Sequence, residues 1–127
     1  MSDLKFRAWH KERNKMLDVF GINFRTPATA QVLNDEYNHY EELLSCVELM
    51  QFTGIKDRNG VDIYEGDIIA DFEYQAGYEP MIAKVIFDNG SFKTKEGVFT
   101  EMLVEFEGSC EVIGNIYQNP ELLEASK

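Results

Sequence analysis

Between Leu49 and Asp71 the sequence reads LMQFTGIKDRNGVDIYEGDIIAD, with two tight-turn signals, Asp57-Arg58-Asn59-Gly60 and Glu65-Gly66, set between short runs of β-branched and aromatic residues. Turn signals this close together leave no room for a helix of ordinary length, and they fold such a stretch into antiparallel strands joined by hairpins. Strands are therefore expected at Glu48 to Phe52, Asp62 to Tyr64 and Asp67 to Phe72. Asn59-Gly60 supplies the residues that tolerate positive φ in a two-residue hairpin turn.

The flanking sequence follows the same logic. Lys5-Phe6-Arg7-Ala8-Trp9 alternates polar and apolar, and after the polar run from His10 to Lys15 a second strand, Met16 to Phe24, is expected with a bulge at Gly21. Arg25 to Asn38 carries Pro27 and the turn-like Asn34-Asp35, and reads as a long connection with one short strand around Gln31 to Leu33. Apolar residues at 40, 43, 44 and 47 have amphipathic helical spacing, so a short helix is expected over Tyr40 to Val47.

Beyond Asp71, Glu73 to Pro80 is a polar and aromatic loop. Met81 to Phe87 is the most hydrophobic strand, hence central, and Asp88-Asn89-Gly90 turns it back into Ser91 to Thr94. Val98 to Phe106 reads as a strand or irregular crossing, and Glu111 to Tyr117 as a last strand. Asn119-Pro120-Glu121 then has the cap residue, proline and acid of a helical turn. Short strands at this spacing imply a mainly β chain, a small barrel or a sandwich.

With 12 Lys and Arg against 23 Asp and Glu, the net charge is −11 and repels phosphate backbones. Direct nucleic-acid binding is thereby disfavoured, although an acidic surface could itself imitate DNA and occupy a host nucleic-acid-binding protein. Half of the positive residues, Lys5, Arg7, Lys11, Arg13, Lys15 and Arg25, precede residue 26, an asymmetry that suits distinct neighbours or self-association in a homo-oligomer. No apolar run approaches the length of a membrane span and the N-terminus has no signal-peptide character, so a soluble, intracellular protein is expected. Cys46 and Cys110, far apart in sequence, read as reduced core residues.

Candidate chemistry is sparse. Asp57, Asp62, Asp67 and Asp71 recur at short intervals, but Gly60 stands fourth from Asp57, where a calcium loop needs glycine sixth, and turn chemistry accounts for these acids. His10 and His39 stand apart from any ligand or triad spacing and are expected to be exposed. Gly108-Ser109-Cys110 lacks the surroundings of a nucleophile elbow. No catalytic, cofactor-binding or metal-ligating residue is assigned, and the chain reads as a non-enzyme. The aromatic residues Tyr64, Phe72, Tyr74, Tyr78, Phe87, Phe92, Phe99 and Phe106 could form a base-stacking platform, but aromatics at alternate strand positions read as core in preference to it. Tyr74 and Tyr78, beside Gly77 in a polar loop, are the candidate partner-binding residues.

Three blocks of residues in order resemble the YopX family of phage and prophage proteins. They are Lys5-Phe6-Arg7-Ala8-Trp9 with Lys15-Met16; Leu49 to Gly60 with Ile63-Tyr64-Glu65-Gly66-Asp67-Ile68; and Glu111 to Leu123. His10 stands where an Asp is common. The resemblance implies a phage or prophage gene in a low-GC Gram-positive bacterium, acting in the host cytoplasm, and it carries over no catalytic residue. It also implies an SH3-like β-barrel over 49–127, preceded by an N-terminal β-hairpin and variable connection over 1–48 and closed by the short C-terminal helical turn. On this reading the chain is a phage accessory protein that binds a host or phage protein, the DNA-mimic being the alternative.

Overall fold

The computed structural model describes residues 4–33, 38–72 and 79–124. Over these residues the chain is mainly β, with two antiparallel sheets and one short helix, and it divides into two compact units, Met1–Phe52 and Thr53–Lys127.

In the first unit β1 (Phe6–His10) and β2 (Lys15–Asn23) form a hairpin in register Phe6↔Val19 to His10↔Lys15. The polar run between them makes the turn, closed by the Asn14 N–H donating to the His10 carbonyl at 2.9 Å. A register shift between Val19 and Gly21 confirms the bulge, where β2 pairs with β3 (Thr29–Leu33). Gly21 sits against the Gln31 side chain, so the absent Cβ leaves room for the bulged strand to close on its partner. Next come β4 (His39–Leu43) and the first half of β5 (Val47–Lys56), giving the order β4-β3-β2-β1-β5. Leu17, Ala30 and Val32 form the core, with Val19, Tyr40 and Leu44 packed on it.

The helix expected over Tyr40 to Val47 is absent; β4 and a 3-10 turn at Leu44–Cys46 occupy that stretch. Eight residues are too few to nucleate a helix on propensity alone. Here β3 offers a full ladder, with Val32↔Tyr40 and Ala30↔Glu42, and the side chains follow period two, Tyr40 and Glu42 half-buried between exposed neighbours. The connection from Arg25 consequently holds longer strands than expected, while the Asn34-Asp35 turn lies outside the described residues.

The second unit contains the end of β5, β6 (Asp62–Tyr64), β7 (Asp67–Asp71), β8 (Met81–Asp88), β9 (Ser91–Glu96) and β10 (Phe99–Met102). A 3-10 turn at Leu103–Phe106, β11 (Glu111–Asn115) and α1 (Glu121–Glu124) complete it. Its main sheet has the order β10-β9-β8-β7-β11, which makes β8 central as its hydrophobicity predicts and leaves β10 and β11 at the edges. No ladder closes the sheet into a ring among the described residues. Along β8, Met81, Ala83 and Val85 enter a core with Ile63, Ile69, Leu103, Phe106 and Cys110, while Ile82, Lys84 and Ile86 take the opposite face.

The β8–β9 turn has Asn89 at φ 49° and Gly90 at φ 82°, the two positive angles of a type I′ hairpin. The first hairpin turn is different. Only Gly60 has positive φ, and the bonds Gly60 N–H to Asp57 O and Asp57 N–H to Val61 O define a type I turn followed by a glycine bulge, a three-residue loop where two were expected. Among the described residues no helix is long and apolar enough to cross a membrane.

Candidate interaction surface

The recurring acids are structural ties. Asp57 is buried, and its Oδ1 accepts from the N–H groups of Asn59 and Val61 at 2.8 and 2.9 Å, an Asx pattern that shapes its own turn. Its Oδ2 accepts from the Val112 N–H at 2.9 Å, which fastens the β5–β6 turn to β11. Asp67 accepts from the Tyr64 N–H at 2.7 Å across the Glu65-Gly66 turn, and Asp71 from the Ser109 hydroxyl at 3.0 Å. Asp62 faces Lys56 at 3.6 Å. Three of the four are therefore buried inside the second unit and contribute nothing to an acidic face that could imitate phosphates.

His10, expected at the surface, is only 4% exposed. Its Nδ1 accepts from the Arg13 N–H at 3.1 Å and its Nε2 stands 2.9 Å from Glu42 Oε2, so the hydrogen-bond network assigns the ring proton to Nε2. The ring pins the β1–β2 turn from inside. His39 is exposed, with its ring 4.7 Å from that of Phe20. Cys110 is a core residue and Cys46 is only half-buried; both are free thiols. Burial, with the nearby Asp57 charge second, pushes the Cys110 thiol up to about 11, so it is protonated and unreactive near neutrality. Cys110 also accepts from the Arg58 N–H through its carbonyl, which holds the first turn against the strand end.

Tyr74 and Tyr78 lie outside the described residues. The other aromatic residues divide: Phe106 is core and Phe92 packs against it, but Phe72 and Phe87 are exposed and Phe99 is 74% exposed, against the expectation of a core role. Phe99 and Val98, which is 87% exposed, stand where β9 turns into the edge strand β10. They line a groove of about 500 Å³ together with Ile82, Lys84, Lys95, Glu96 and Leu123 of α1. The edge strand β10 supplies the aromatic ring, the outward face of β8 supplies Ile82 and Lys84, and α1 supplies Leu123.

The first unit has a smaller counterpart of about 370 Å³, lined by Leu4, Lys5, Phe6, Phe20, Ile22 and Phe24. Phe24 and Leu4 are largely exposed there, and Lys5 lies 4.4 Å above the Phe52 ring. Both grooves are lined mainly by apolar residues together with lysine. Neither was marked by the sequence reading, although Lys84 carried a signal, being the one charge inside an otherwise apolar strand.

Comparison with known proteins bears on the whole chain. The family model described as YopX protein matches residues 5–124. A crystal structure of protein EF1440 from Enterococcus faecalis is similar with a TM-score of 0.63 and 26% identity, over 97% of this chain and 99% of that one. The crystal structure of protein yopX from Bacillus subtilis shares the fold with a TM-score of 0.65 at 24% identity, over 97% of both chains. No curated protein matches.

Proposed function

The chain belongs to the YopX family, and from that premise and its exposed apolar groove we propose that it is a non-catalytic accessory protein of phage or prophage origin that binds another protein in the bacterial cytoplasm. The observation that carries the reading is the pair Val98 and Phe99, large apolar side chains left in water at the rim of a formed groove. Burying such groups against a partner is worth about 1.5 to 3 kcal/mol each, and aromatic residues in a pocketed rim are the usual anchors of protein interfaces.

The non-catalytic part is supported by what the polar groups already do. The carboxylates of Asp57, Asp67 and Asp71 satisfy backbone N–H groups or a hydroxyl, His10 is held at both nitrogens, and the Cys110 thiol is buried and protonated. The finer fold reading, an SH3-like barrel over 49–127, is supported by connectivity: a four-strand meander, a 3-10 turn, and a last strand returning to pair with the first. Closure of that sheet into a barrel is part of the proposal.

Affinity capture from host lysate with mass spectrometry tests the binding role. The wild-type chain is expected to retain one stoichiometric partner that V98S/F99S releases. Equal capture by both, or turnover in a screen of phosphoester, glycosidic and ester substrates, contradicts the reading.

A further inference from the structure

The groove has an electrostatic feature that the protein's own fold does not use. Lys84 and Lys95 stand directly opposite each other on β8 and β9, and both are half-buried. Like charges in directly opposed positions weaken a sheet. On the same face Lys93 has an acidic partner, Asp88 Oδ2 at 3.5 Å. Lys84 and Lys95 have no ion-paired or hydrogen-bonded partner among the described residues. Glu96, which also lines the groove, has its Oε2 engaged with the Ile82 N–H at 3.2 Å. Two opposed lysines without an ionic partner among the described residues thus line a largely apolar cleft, in a chain whose net charge is −11.

We propose that this groove seats an acidic peptide segment of the partner, with an apolar side chain held among Ile82, Val98, Phe99 and Leu123 and carboxylates on the ammonium groups of Lys84 and Lys95. The assignment rests on the protein-binding reading and adds the chemistry of the bound segment. Charge complementarity selects carboxylate-bearing ligands, and the apolar walls select a side chain such as Leu or Phe beside the acid. A nucleic-acid strand fits poorly, since two cations neutralise two phosphates at most while the surrounding negative charge repels the rest.

The test is selection of a random displayed peptide library on the immobilised full chain, followed by fluorescence anisotropy with the enriched peptides. Enriched sequences are expected to pair Asp or Glu with Leu, Phe or a similar residue. K84Q/K95Q is expected to weaken their binding about tenfold, with a parallel loss when the peptide acids become Gln, as two partly desolvated ion pairs imply. Loss through unfolding is separated by a thermal melt of the variant, expected to stay near that of the wild-type chain because relief of two opposed like charges offsets the more negative net charge. Absence of enrichment, enriched peptides without acids, or equal binding to K84Q/K95Q overturns the proposal. If K84Q/K95Q still captures the host partner that V98S/F99S releases, the acidic-segment assignment fails while the protein-binding reading stands.

Discussion

At the scale of single residues, the buried polar side chains of this protein are fasteners, and their removal has calculable consequences. Asp57 receives three backbone N–H groups, from Asn59, Val61 and Val112. Asp57→Ala strands these donors in a buried turn and is expected to cost about 2 to 4 kcal/mol, read as a lower urea midpoint with unchanged slope. Asp57→Asn keeps one oxygen but turns an amide toward a donor, so its loss is expected to be smaller but measurable. Cys110 permits a chemical check. Its pKa of about 11 and its burial predict that iodoacetamide labels Cys46 and spares Cys110 in the folded protein at pH 8, mass spectrometry of digests giving the ratio. The sign of the pH effect follows. A thiol raised above its unfolded pKa of 9.0 leaves stability intact below that pH and removes it as pH climbs from 9.0 toward about 11. The turn role of Asp57 could be read from its Asp-x-x-Gly spacing alone, whereas the burial of His10 could not. Its partner, Glu42, lies on β4, three ladders away from β1 in the sheet, a relation that no local pattern encodes.

At the scale of elements, sequence reading succeeds where local chemistry and long-range pairing agree. The β8–β9 hairpin is such a case: alternation along Met81–Phe87 and the Asn89-Gly90 turn both demand it. A Cβ at Gly90 would meet nothing within 4 Å, so Gly90→Ala isolates backbone strain at φ 82° and is expected to cost about 1 kcal/mol. A larger loss would point to a contact that the turn geometry does not contain. Reading fails at Tyr40 to Val47, where helical spacing was coincidental: Tyr40 and Leu44 reach one core from a strand and the 3-10 turn that follows it. It also misplaced Phe99. Strand parity puts Phe99 opposite Glu96, and only the position of β10 at the sheet edge leaves the ring in water. Edge or centre is a property of strand order, which alternation does not report.

At the scale of the whole molecule, the net charge of −11 sets the background against which a small cationic groove acts. Self-repulsion of that size destabilises a compact chain, and salt relieves it by shortening the Debye length from about 30 Å at 0.01 M to about 8 Å at physiological strength. The melting temperature is therefore expected to rise over that salt range, while binding of an acidic segment to Lys84 and Lys95 weakens; a falling melting temperature would contradict the repulsion argument. The central claim is that the rim of Val98 and Phe99 is where a partner docks. Hydrogen exchange of the chain alone and with its captured partner tests this most directly. Slowed exchange at the β9–β10 turn and along β10 is the predicted result, and protection confined to the first unit, with β9 and β10 unchanged, would contradict it.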